Sequence, residues 1–164
     1  MNSEDRLRAA LVSGFGLGYL PVAPGTWGSA GAALVALGIW RTMPEGAALA
    51  TLAGGIILTM IVGMRLCAWA ENYYEGKDPG VFVLDEVAGQ WCTCVLFLWA
   101  PENPLAATVA AFVAFRIFDI AKPPPARKIE HMPGGRGVML DDIVAGLYAA
   151  ALLWVVFRLR PNLF

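Results

Sequence analysis

Five apolar stretches separated by short polar segments set the layout of this chain. No charged residue occurs between Ala9 and Trp40 or between Gly46 and Met64. Shorter charge-free runs cover Val87 to Pro101, Asn103 to Phe115 and Ile143 to Phe157. A helix that crosses a bilayer needs about 20 predominantly apolar residues. The second run meets that length, and Arg65 and Arg116 can lengthen two others by snorkelling toward water. The pattern predicts an all-α fold: a compact, membrane-embedded bundle of roughly five main helices, several of which span or dip into the bilayer. One domain over residues 1–164 is expected.

In order, residues 3–12 predict a short amphipathic helix at the membrane interface. Ser13 to Ser29 is rich in Gly and Pro. Its Gly14, Gly16 and Gly18 do not make a dinucleotide fingerprint, because the third glycine would fall at Tyr19 and no strand precedes it. Two readings of this loop stay open: its N–H groups approach a phosphate, or it only packs. Thr26 to Trp40 reads as a first membrane helix with Thr26 as N-cap, and Arg41 to Gly46 as a turn. Ala47 to about Ala70 is the second helix, where Gly54, Gly55 and Gly63 permit close helix contact. Glu71 to Gly80 is polar, with Tyr73 and Tyr74 suited to an interface. Val87 to Ala100 is the third helix, stopped by Pro101 to Pro104. Leu105 to about Ala121 is the fourth, ended by Pro123-Pro124-Pro125. A polar loop then runs to Asp142, and the fifth helix begins at Ile143.

Composition strengthens the membrane assignment. Apolar residues make up 58% and charged residues 15%, against roughly 25% charged in soluble domains, and mean hydropathy is +0.60. A soluble, very apolar bundle that oligomerises is the alternative. A net charge of -1, with no basic stripe interleaved with aromatics, points away from nucleic acid as a partner. No cleavable signal peptide is evident. Cys67, Cys92 and Cys94 lack His or Cys neighbours at zinc-ligand spacing and read as reduced packing residues. No feature of the sequence sets an oligomeric state.

Charge then changes the picture. If all five helices cross, Arg6, Arg8, Arg65, Lys77, Arg116, Lys122, Arg127, Lys128 and Arg136 fall on one side and Arg41, Arg158 and Arg160 on the other. The positive-inside rule makes the first side cytoplasmic. Asp85-Glu86, Asp119 and Asp141-Asp142 reach that same face. Five convergent carboxylates repel one another unless a cation sits among them. Oxygen ligands without His or Cys select a hard ion, Mg²⁺ or Mn²⁺. Arg116, Asp119 and Lys122, at i, i+3 and i+6, share a broad helix face, and Arg127 and Arg136 add cations in the next loop. Such a set suits a phosphate ester, which a metal polarises while the cations hold its remaining oxygens.

Each group also has a plainer reading. The two acidic pairs are possible helix caps and dipole partners, and Asp119 a partner of Arg116 or Lys122 on its own helix. Arg127 and Lys128 can be topology markers, and His131 an exposed loop residue. A cation-binding or cation-conducting membrane protein is the second functional class. A conduction pathway, however, places ionisable residues at mid-bilayer and on both faces, and here they crowd one face. Several phosphoryl chemistries lack their residues: there is no cysteine-nucleophile loop, no second histidine, no DxDx nucleophile and no P-loop.

Four ordered segments carry a specific resemblance: GFGLGYLPVAPGTWGS from Gly14, DPGVFVLDEVAGQW from Asp78, FRIFDIAKPPP from Phe115 and GGRGVMLDDIVAG from Gly134. Together they closely resemble the phosphatidylglycerophosphatase A family. The resemblance implies an all-helical Mg²⁺-dependent lipid phosphatase of the bacterial inner membrane. Its phospholipid substrate would be phosphatidylglycerophosphate, which loses the terminal phosphate to leave phosphatidylglycerol. It carries over Thr26, Asp85, Glu86, Arg116, Asp119, Lys122, Gly135, Asp141 and Asp142. Ser13 and Arg136 depart from the family pattern, where Thr and an aromatic are common. The expected metal set is Asp85, Glu86, Asp119, Asp141 and Asp142. Arg116, Lys122 and Arg127 are expected to bind the phosphate, with Thr26 as a contact or nucleophile.

Overall fold

The computed structural model of the chain describes residues 2–97 and 103–160. The regular structure among these residues is helical: α1 (Ser3–Val12), a 3-10 turn (Leu17–Tyr19), α2 (Pro24–Thr42), α3 (Glu45–Tyr73), α4 (Leu84–Phe97), α5 (Pro104–Ala121), α6 (Ala126–Ile129) and α7 (Arg136–Leu159). The five expected main helices are present, and the polar loop after α5 adds the short α6. Helices α3, α5 and α7 are long and apolar enough to cross a membrane. The expected end of the third helix at Ala100 and the Pro101 stop lie outside the described residues.

Helix α4 is the centre of the bundle and packs against α2, α3, α5 and α7. Small side chains make this possible, because they let helix backbones approach closely. One core cluster joins Ala36, Leu52, Cys94, Ala107, Ala111, Ala114, Phe115, Ala145, Ala149 and Leu153. A second, under α1, joins Val12, Cys67, Ala70, Phe82, Leu84, Ala88 and Met139. The closest approach is between α4 and α7. A Cβ on Gly89 would meet the Asp142 carbonyl oxygen, and one on Gly146 would meet the Gly89 carbonyl oxygen, each at 2.5 Å. The Thr93 hydroxyl fastens the crossing by donating toward the Gly89 and Gly146 carbonyls at 3.1 and 3.2 Å. On α3, Gly55 makes room for Trp91 and Gly63 for Met139, whereas Gly54 faces open space and serves no contact. All three cysteines are free and buried.

Three of the shifted helix starts bear on the candidate site. Helix α2 begins at Pro24, so Thr26 lies inside the first turn and is not the N-cap; that position falls to Ala23. Proline suits the first helical position because its φ is preset and its missing N–H has no helical partner to lose. Helix α4 starts at Leu84, which places Asp85 and Glu86 in its first turn. Helix α7 starts at Arg136, seven residues before the expected Ile143, with Gly135 at its N-cap. Asp141 and Asp142 therefore sit beyond the first turn, where no free N–H remains for a cap. The capping account of this pair fails.

The Gly-rich loop after α1 packs. Ser13 Oγ accepts from the Gly16 N–H, the Gly14 and Phe15 N–H groups donate to carbonyls of the last turn of α1, and those of Leu17, Gly18, Tyr19 and Leu20 to carbonyls of the loop itself. Those groups are spent internally and face no phosphate.

Candidate active site

The first turns of α2 and α4, the early turns of α7 and the last turn of α5 meet at one end of the bundle. Gly89 lies one turn after Asp85 and Glu86, and Gly146 one turn after Asp142. Their close contact sets the two acidic segments side by side. Asp85, Glu86 and Asp142 each offer an oxygen within 4.8 Å of the others. Asp85 and Asp142 are buried, at 8% and 3% exposure. Asp85 Oδ1, Glu86 Oε2, Asp141 Oδ1 and Asp142 Oδ2 are buried without a hydrogen-bond partner.

Around this trio the remaining residues divide into two ion-pair systems. Arg116 pairs with Asp119 at 2.6 Å and lies 4.0 Å from Glu86. Its Nη1 also donates to Ser29 Oγ at 3.3 Å, and Ser29 Oγ in turn donates to the Gly25 carbonyl at 2.8 Å. Lys122 bonds Asp141 at 2.8 Å and Glu130 at 2.9 Å. It caps α5 in a left-handed conformation, φ 42°, which turns it off the helix face it was expected to share with Arg116. Burial of Lys122 disfavours its charge, but the hydrogen bonds it donates to Asp141 and Glu130 outweigh this and raise its pKa. Lys122 in return holds the Glu130 carboxyl below its ordinary range. Burial raises Asp78, which lines a polar pocket with Lys77, Glu130 and His131.

The other expected residues lie as follows. Thr26 is half-buried and lines a groove whose wall includes Arg116. Gly135 is buried where a Cβ would strike Cys67 and the Met64 backbone, so it seats the start of α7 on α3. Arg127 is exposed on α6 and has no ion pair among the described residues, its carbonyl meeting His131 Nδ1 at 3.0 Å. Sequence reasoning missed Ser29, Gly25 and Glu130. A Cβ on Gly25 would overlap Glu86 Oε1, so this glycine leaves the space that Glu86 occupies. Both Gly25 and Ser29 lie in the PGTWGS segment, and Glu130 is the acid nearest Lys122 in the following loop, so the signals were present but unread.

The donor set fits a hard divalent cation. Oxygens bound to one Mg²⁺ at ~2.1 Å lie about 3.0 Å apart when cis and about 4.2 Å when trans, so the trio would close inward to share one ion. Four buried carboxylate oxygens without partners are what a cation would satisfy. Asp119 and Asp141 instead spend one oxygen each on Arg116 and Lys122.

Fold and site together define a membrane-embedded helical protein with a carboxylate centre suited to phosphate ester chemistry. The phosphatidylglycerophosphatase A family model matches residues 10–157, and the chain belongs to that family. It is 37% identical to phosphatidylglycerophosphatase A of Escherichia coli, over 89% of this chain and 81% of the relative. With the Haemophilus influenzae protein of the same name it shares 32% identity, over 89% and 86%. A Bacteroides thetaiotaomicron protein provisionally named a phosphatidylinositol-3-phosphatase is 39% identical over 95% of this chain and 99% of the relative. No solved structure matches.

Proposed function

We propose that residues 1–164 form a single helical domain that hydrolyses the terminal phosphomonoester of phosphatidylglycerophosphate, with Mg²⁺ held by Asp85, Glu86 and Asp142. The observation that carries this is the convergence of their unpartnered, buried oxygens beside Arg116. Mg²⁺ supplies, when bound, Lewis-acid polarisation of the phosphoryl group and activation of water. Arg116 orients the phosphate, held in place by Asp119 and Ser29. Lys122 supplies a second cation at the rim, and Asp141 and Glu130 fix where its ammonium sits. The first turns of α2 and α4 add positive dipole ends, which favour anions. Direct attack by water is preferred over an aspartyl intermediate, because every carboxylate is committed to the cation site or to a basic partner. The site faces the cytoplasm at the bacterial inner membrane, the side where the sequence concentrates Lys and Arg.

The relative named for phosphatidylinositol 3-phosphate supports a second headgroup, since it matches nearly the whole chain. Both lipids present a phosphomonoester, and the geometry of the cation site suits either. One assay addresses these readings. Purified protein in detergent is expected to release phosphate from phosphatidylglycerophosphate with Mg²⁺ and not with EDTA, and Asp142→Asn to abolish release. Faster release from phosphatidylinositol 3-phosphate would move the assignment to that lipid. No release from either would leave a cation-binding membrane protein. Full activity in both Asp142→Asn and Asp85→Asn would remove the metal site.

A further inference from the structure

Three apolar-walled cavities of similar size open on the bundle, and their charges differ. One of about 550 Å³ has Glu45 in its wall, roughly 30 Å along α3 from the site end at 1.5 Å per residue. A second, about 510 Å³, lies between α1, α2, α3 and α4 and is lined by residues such as Val35, Leu58 and Trp91, with no charged residue. The third, about 490 Å³, runs between α2 and α5 and carries Arg116 and Thr26 in a wall otherwise made by Phe112, Val113, Ile117, Ile120 and Ala121. Its size falls in the range of about 300–1,000 Å³ usual for ligand sites.

We propose that this α2–α5 groove seats the glycerol and upper acyl chain of a lipid phosphomonoester that reaches the site sideways from the bilayer. The proposal rests on the lipid phosphatase reading and adds the route. An amphiphile with an anionic head needs a cation in the wall of an apolar groove, and this groove has Arg116. Arg116 retains a buried Nε with no partner, beyond the Nη1 that holds Asp119 and Ser29. The apolar surface also continues away from Arg116. Leu105, Val109, Val113 and Ile117 recur every four residues along α5 and are each about half exposed. That stripe is about 18 Å long on a helix long and apolar enough to cross a membrane. A chain leaving the groove therefore meets a continuous apolar track.

Two measurements on the full chain in nanodiscs test this. Val113→Trp fills the groove at an exposed position outside the cation site, and it is expected to raise KM for dioleoyl phosphatidylglycerophosphate at least tenfold. Val35→Trp, in the uncharged cavity, should leave KM within twofold. In the second measurement, phosphatidic acid with a diazirine on its acyl chain is expected to label peptides containing Val113 and Ile117 several-fold more than the choline-headed analogue does, and Arg116→Ala should erase that excess. Unchanged KM in Val113→Trp, equal labelling by the two lipids, or labelling centred on Leu58 and Trp91 would overturn the groove. Selective labelling without hydrolysis of any lipid phosphate would spare the groove and refute the phosphatase.

Discussion

Replacing Asp142 with Asn separates a metal site from a merely structural cluster, because the two make opposite predictions for stability. Asp142 is nearly fully buried and shares a 4.8 Å sphere with Asp85 and Glu86. At that spacing each pair of ionised carboxylates repels by about 3.5 kcal/mol in a medium of effective dielectric ~20. Partial protonation relieves much of this. Without metal, Asp142→Asn is therefore expected to stabilise the protein by about 1–2 kcal/mol, a rise in Tm of about 2–8 °C for a chain of this size. Saturating Mg²⁺ reverses the order. A cation at one hundred times its Kd stabilises the wild type by about 2.7 kcal/mol, or about 5–11 °C, and the Asn variant should gain almost nothing. Thermal unfolding in detergent, with EDTA and with Mg²⁺, measures both shifts. An Asn variant that is less stable than wild type in EDTA, and that Mg²⁺ stabilises as much as wild type, would refute the assignment.

Four further outcomes are expected. Gly25→Ala drives a methyl into Glu86 Oε1 and to 3.3 Å from Arg116 Nη1; a displacement of ~1 Å at such a site costs about 100-fold in rate, so kcat should fall on that scale while Tm changes by only a few degrees. Ser29→Ala removes one of the hydrogen bonds that orient Arg116, and a loss of about 1 kcal/mol should appear as a KM increase of roughly fivefold with kcat held. Lys122→Met leaves the buried Asp141 without its cation and should cost about 3 kcal/mol, recovered in part by the added change Asp141→Asn. The Lys122–Glu130 contact also has a pH signature: because Lys122 depresses the Glu130 carboxyl, its stabilisation is present above the ordinary value of 4.5 and is lost as pH falls through the lower folded value. Wild type should then lose stability more steeply than Glu130→Gln between roughly pH 6 and pH 3, as followed by thermal unfolding.

Charge-free apolar runs and proline stops were enough to locate the helices, since a helix in this chain is bounded where charge or proline interrupts a long apolar run. The five main helices and the residue types of the site were legible in that way. Family membership was legible too, through four ordered motifs. Helix starts were not. Arg136 to Leu140 looked like loop because it opens on a charge and directly follows two glycines, yet the start of α7 is fixed by Gly135 pressing onto Cys67 and Met64 of α3, a contact distant in sequence.

For the Asp141-Asp142 pair, the sequence determined that two carboxylates precede a long apolar run, Ile143 to Phe157, and that an opposite charge must lie near them. It could not say which. Tertiary structure decided it through the Gly89–Gly146 crossing, which places Asp142 with Asp85 and Glu86, and through the left-handed cap at Lys122, which turns that ammonium to Asp141. Adjacent residues on a helix point about 100° apart, so neighbours in sequence meet different partners. Only the packing of α4, α5 and α7 assigns them.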